Sequence, residues 1–142
     1  MSAKIVRPSI LPGFMELKTD EQLAFNKIME KIRKNFELFG FAPIDTPVIE
    51  KAEILTAKSG GDTEKQIYEF KKGDTDLALR FDLTVPLARY VAQYKKELRF
   101  PFKRYQIGKV YRGEKPQKGR FREFYQCDID IIDQKTLDPV ND

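Results

Sequence analysis

A chain of 142 residues, 41% hydrophobic and 12% aromatic, can bury roughly two-thirds of its unfolded surface in one core, and such fractions exclude wholesale disorder. Its one cysteine, Cys127, excludes an internal disulfide or a paired-thiol motif, and the absence of histidine removes Ser-His-Asp, Cys-His and most zinc chemistry. Net charge is +4, but residues 99–122 hold nine basic side chains against one acid, Glu114, leaving the rest of the chain at −4; a basic segment on an otherwise acidic chain is a footprint for a polyanion.

No apolar run approaches the roughly 18 residues of a membrane span, and the first residues lack the apolar core of a signal peptide. A cytoplasmic protein without a membrane partner is the expectation, and its lone thiol suits a reducing compartment.

The segment through Lys18, with Pro8, Pro12 and Gly13, reads as an extended lead-in. Thr19 and Gln22 have the spacing of a capping box, Asp20 and Glu21 favour the positive end of a helix dipole, and Phe25, Ile28, Met29, Ile32, Phe36 and Phe39 recur at helical spacing. A helix over 20–39 is predicted, stopped by Gly40. Residues 41–44 form a short strand candidate, and Pro47 marks an edge or strand end. A short helix over 51–58, a loop over 59–62, and two strands over 67–70 and 77–81 follow, the strands joined by a turn containing Gly73. Thr84 is placed to cap a helix to about residue 96, with Pro86 in its first turn and Leu87, Tyr90, Val91 and Tyr94 inward.

The last third carries the chemistry. Residues 102–112 and 121–132 are strand-like runs around a polar loop over 114–119. In the second run Tyr125, Cys127, Ile129 and Ile131 alternate with Phe124, Gln126, Asp128 and Asp130, so the first set is the expected core face. The second set is an unusual mixture for a sheet unless it meets water or a ligand. Arg112 and Glu114 flank one end of the loop, Arg120 and Arg122 the other, and Phe124 follows. Arginines on such a hairpin can hold phosphates bidentately and an aromatic can stack on a base. Neither common glycine-rich phosphate cradle is present.

These residues resemble a known family. Residues 111–126, from Tyr111-Arg112-Gly113-Glu114 through the loop to Phe124-Tyr125-Gln126, resemble motif 2 of class II aminoacyl-tRNA synthetases; the flanking residues 104–108 and 127–132 look like the histidyl-tRNA synthetases in particular. Residues 80–90, Arg80-Phe81-Asp82-Leu83-Thr84 onward, are similar to the family's amino-acid-binding stretch, and the helix ending at Gly40 with the strand and Pro47 looks like motif 1.

The resemblance implies an α+β fold, an antiparallel β-sheet flanked by helices, with motif 1 at about 20–50 forming a homodimer interface and motif 2 at about 102–132. It implies a histidine–tRNA ligase that joins histidine to ATP, accompanied by Mg2+, as histidyl-adenylate and then transfers histidine to tRNA(His), with no tightly bound cofactor and no protein-held metal. In that scheme Arg112 holds the α-phosphate and is the catalytic residue, Glu114 approaches the adenine amino group, Arg120 reaches the γ-phosphate and Phe124 stacks on adenine. Asp82, Thr84 and Gln126 take the α-amino group of histidine and Asp130 its imidazole. Asp82 and Asp130 stand where many members carry glutamate, which shortens the reach by one methylene. Residues 1–142 are then a partial catalytic domain without motif 3, the histidine-specific segment or the anticodon-binding domain. The alternative is a non-catalytic regulatory or histidine-sensing module, which has no need of Arg112, Glu114, Arg120 and Phe124 together.

Overall fold

The computed structural model describes residues 6–57, 61, 64–115 and 117–134; most of the expected loop over 59–62 and residues 135–142 lie outside them. Helix α1 spans Thr19–Leu38. Its start lies one residue earlier than the capping spacing suggests: the Lys18 backbone N–H donates to Glu21 Oε2 at 2.8 Å, and Thr19 is already helical. Glutamate three residues in satisfies an otherwise orphan donor better than the expected Gln22.

Strand β1 (Ala42–Pro43) runs parallel to β5 (Phe102–Tyr111), which pairs antiparallel along its whole length with β6 (Glu123–Ile132). A second sheet is antiparallel throughout, in the order β2 (Ile49–Lys51), β4 (Thr75–Leu79), β3 (Glu69–Lys72). The β3–β4 turn is the tight one expected, with Gly73 at a φ of 61°, a conformation that L side chains rarely adopt. Strand β2 was not foreseen, because Pro47 marked a strand end; the chain recovers two residues later and pairs Ile49 with Leu79. Helices α2 (Ala52–Thr56) and α3 (Thr84–Tyr94) complete the described elements. The fold is thus α+β, the only parallel pairing among the described residues being the short β1.

Ala52, Leu55, Ile67 and Ala78 form a core under the second sheet, with Phe81 and Val85 packed against it. Arg80, 3% exposed, sews the sheets together. Its Nε donates to Lys109 O at 2.8 Å and its Nη1 to Thr46 O at 2.6 Å; its own carbonyl accepts the Tyr111 N–H at 2.9 Å. Burial of a guanidinium is tolerated because backbone carbonyls replace its water.

Helix α1 lies over the β5–β6 hairpin. Phe36 meets Tyr105 at 5.4 Å between ring centroids and Phe25 meets Tyr125 at 5.1 Å, while Tyr105 Oη donates to Glu37 Oε1 at 2.8 Å. The expected core face of β6 is nevertheless open: Tyr125 is 45% and Ile129 46% exposed, and Cys127 is exposed as well. One helix is too narrow to cover both strands. The polar face, Phe124, Gln126, Asp128 and Asp130, is the more enclosed one. No described helix is long and apolar enough to cross a membrane.

Candidate nucleotide and amino-acid site

The hairpin continues one pair beyond β5 and β6, where the Arg112 N–H donates to Arg122 O at 2.9 Å. This bond places Arg112 at the mouth of the long loop on a rigid two-stranded base. The loop is anchored on both sides. Gly113 N–H donates to Gln66 O at 2.7 Å, and Arg122 N–H donates to Gly13 O at 2.7 Å. The Arg122 guanidinium donates through Nε to Glu114 O at 2.9 Å and through Nη1 to Pro12 O at 3.4 Å. The partner of Arg122 is thus the Glu114 backbone, while the Glu123 carboxylate accepts from Lys109 Nζ at 2.8 Å. That bond to Glu123 is the main reason the Lys109 ammonium titrates above its ordinary range.

Arg112, Glu114, Arg120 and Phe124 line one cavity of about 310 Å3, together with Gly119 and Phe121. All four residues assigned to ATP therefore converge on one space. The Arg112 guanidinium carbon lies 5.1 Å from the Phe124 ring centroid, and its Nε donates to Phe81 O at 3.1 Å, which fixes the plane of the fork. Arg120 Nη1 stands 3.3 Å from Glu114 Oε2 across the cavity; the arginine side chain is 64% exposed and the glutamate 24%. Such an exposed pair contributes little to stability and can open at low cost for a phosphate.

The residues assigned to histidine are less completely gathered. Gln126 and Asp130 share the enclosed face of β6, directly opposite Gly108 and Arg104 of β5. Gln126 Oε1 is buried without a hydrogen-bond partner, an acceptor facing no protein donor. Asp82 accepts the Val85 N–H through Oδ1 at 3.0 Å, so Asp82, rather than Thr84, caps α3; a carboxylate here also complements the helix dipole. Thr84 occupies the first turn and is exposed, which leaves it outside the cluster. The Asp128 carboxyl is held above the usual range, chiefly by burial, with Arg104 opposing and Asp130 and Asp82 adding to the rise; Asp82 therefore stands near the polar face of β6.

Arg104 is the residue that sequence reasoning missed. It is wholly buried, it forms an ion pair through Nη2 with Asp130 Oδ2, and burial lowers its pKa against the pull of Asp130 and Asp128. Alternation along one strand carries no signal for it, because the hairpin register is what sets Arg104 opposite Asp130. Among the described residues no group of three or more His, Cys, Asp or Glu could hold a metal ion.

An antiparallel sheet with flanking helices is the catalytic-domain architecture of class II aminoacyl-tRNA synthetases, and here it carries an arginine- and phenylalanine-lined cavity at the mouth of its longest hairpin. The histidyl-tRNA synthetase family model matches residues 13–140, and the chain belongs to that family. It is 67% identical over 142 residues to the histidine–tRNA ligase of Clostridium tetani, covering all of this chain and 32% of that one. Its structure resembles the crystal structure of histidyl-tRNA synthetase from Nostoc sp. with a TM-score of 0.80 at 40% identity, over 92% of this chain and 30% of that one. It also resembles a Bacillus halodurans protein described as an ATP phosphoribosyltransferase regulatory subunit/histidyl-tRNA synthetase, with a TM-score of 0.76 at 25% identity over 90% and 33% of the two chains. The chain spans about a third of the length of the curated relatives it matches.

Proposed function

We propose that residues 1–142 are the part of a histidine–tRNA ligase catalytic domain that carries motifs 1 and 2 and holds ATP, with Mg2+ entering as part of the ATP substrate. The observation that carries this reading is the convergence of Arg112, Glu114, Arg120 and Phe124 on one cavity. In activation, a carboxylate oxygen of histidine attacks the α-phosphorus, the bond from that phosphorus to the bridging oxygen breaks, and pyrophosphate leaves. Negative charge builds on the α-phosphoryl oxygens as this happens. Arg112, its plane set by Phe81 O and Phe124, is preorganised to meet that charge, which is where electrostatic catalysis is most effective. Arg120 exchanges its exposed contact with Glu114 for the γ-phosphate, Glu114 accepts from the adenine amino group, and Phe124 stacks on the base.

For histidine, the unpartnered Gln126 Oε1 suits an ammonium donor, Asp82 supplies the opposite charge nearby, and Asp130 accepts from the imidazole. Gln126 and Asp130 lie about 13 Å apart along an extended strand, which allows them to address opposite ends of one small substrate. Thr84 would have to turn inward from its exposed position to join them. The complete protein then transfers histidine to tRNA(His), in the cytoplasm, as a homodimer joined through motif 1; motif 3 and the anticodon-binding domain belong to the remainder of the chain.

The test is histidine-dependent exchange of labelled pyrophosphate into ATP by the complete protein. Exchange that requires histidine supports the reading. Binding of ATP or histidine with no exchange favours the regulatory or histidine-sensing module, the reading to which the Bacillus halodurans likeness is relevant.

A further inference from the structure

Asp130 is half accessible, at 41% side-chain exposure, whereas its partner Arg104 is at 0%. The two sit directly opposite one another on β5 and β6, so the pair spans the hairpin and does not depend on a loop. Arg104 Nη2 engages one carboxylate oxygen, Oδ2. Its Nε, Nη1 and Nη2 are all buried with no hydrogen-bond partner, so the link to Asp130 is an ion pair alone, and Asp130 is the one ion-pair partner of this guanidinium among the described residues. Asp128, two positions back on the same face, is close enough to influence Arg104 electrostatically and forms no ion pair with it among the described residues.

A buried cation with a single half-exposed counterion holds that counterion in place more than it stabilises the fold. Desolvation of a guanidinium is costly, and a well-packed apolar residue in its position is often neutral or better for stability. The geometry divides the labour between the two carboxylate oxygens: Oδ2 faces the buried Arg104 cation as its ion-pair partner, and Oδ1, in no ion pair among the described residues, remains for a ligand.

We infer that Arg104 is a positioning residue for histidine specificity, fixing the Asp130 carboxylate so that one oxygen is presented to the imidazole N–H of the substrate. This rests on the reading of Asp130 given above and adds to it the residue on which Asp130 depends. Without Arg104 the carboxylate can rotate and turn its second oxygen to water, and the directed acceptor is lost. Lysine would keep the charge but not the planar fork, and so restores the orientation only in part.

The experiment uses the complete synthetase and measures the KM for histidine and for ATP in pyrophosphate exchange. R104M should raise the histidine KM at least about tenfold, a difference of roughly 1.4 kcal/mol in binding, and leave the ATP KM within about twofold. R104K should fall between R104M and the parent enzyme. In a D130N background R104M should add no further loss, because the residue it positions no longer carries the acceptor. If R104M fails to fold, R104K decides: a histidine KM raised severalfold with ATP unaffected upholds the inference, and an unchanged histidine KM overturns it. It is also overturned if R104M raises both constants alike, or if the R104M and D130N effects multiply. A D130N enzyme with an unchanged histidine KM would locate the failure in the reading of Asp130, and the inference would fall with it; D130N impaired with R104M normal would remove the Arg104 role alone.

Discussion

Arg112 rests on Phe124, its guanidinium carbon 5.1 Å from the ring centroid. Arg112 directly follows β5 and Phe124 is the second residue of β6, so the side chain assigned to a phosphate and the side chain assigned to a base are in direct contact before any nucleotide arrives. Such a cation–aromatic contact contributes roughly 0.5–1 kcal/mol at a partly exposed site, enough to bias the arginine rotamer and lower the entropy lost on binding.

Replacing Arg112 by alanine in the complete synthetase should therefore slow pyrophosphate exchange roughly a hundred- to a thousandfold, the usual consequence of losing one preorganised donor to a developing charge. Exchange at near the parental rate would show that the α-phosphate is held elsewhere.

Phe124→Ala removes both the stacking surface and the rest for Arg112. An ATP KM increase of about ten- to a hundredfold is expected, from the roughly 1–3 kcal/mol that a base–aromatic stack contributes, with a smaller drop in kcat. Phe124→Tyr should be close to neutral. Steady-state kinetics with ATP varied at saturating histidine separates the two effects.

Gly108→Ala should destabilise the fold without touching the ATP cavity. A Cβ at this position would run into the Arg80 guanidinium at Nη2, and Arg80 cannot retreat because its Nε and Nη1 bind Lys109 O and Thr46 O. Overpacking of this kind typically costs about 1–3 kcal/mol, to be read as a lower urea midpoint.

The Asp128 carboxyl, raised mainly by burial, contributes a pH dependence of definite sign. The folded chain keeps its proton to higher pH than the unfolded chain does, so stability falls as pH rises from the ordinary aspartate value of about 3.9 through the higher folded value. Asp128→Asn removes the charge and should raise Tm at pH 7, with the gain vanishing near pH 3. Thermal melts at the two pH values check this, and an equal shift at both would point to packing.

Helix α1 and the residue after it leave Leu23, Ile28, Leu38 and Phe39 exposed, and Tyr125 and Ile129 of β6 are open as well. Apolar surface on this scale suits a covered interface. Self-association of the 142-residue chain at micromolar concentration is expected by sedimentation, and Ile28→Lys with Phe39→Lys should weaken it. A purely monomeric parent chain would withdraw support from the motif 1 interface in this segment.

What the sequence by itself determined was local or periodic: the span of α1 within a residue at either end, the Gly73 turn, the two long strands and the grouping of Arg112, Glu114, Arg120 and Phe124 at one hairpin mouth. Caps, turns and alternation depend on neighbours a few positions away, so their physics is written in short windows. Tertiary structure alone decided which face of β6 is enclosed. Alternation separates Tyr125, Cys127 and Ile129 from Phe124, Gln126 and Asp130, yet it says nothing of how far one helix can cover the first set, and that face stays half open. It also decided that Asp82 caps α3 while Thr84 faces outward, that β1 joins β5 in parallel, and that Arg80 passes beneath Gly108 to tie the sheets. The pairing of Arg104 with Asp130 belongs with these. It joins residues 26 positions apart whose meeting requires the hairpin register, and a one-residue slip in that register would turn every side chain of the strand to the opposite face.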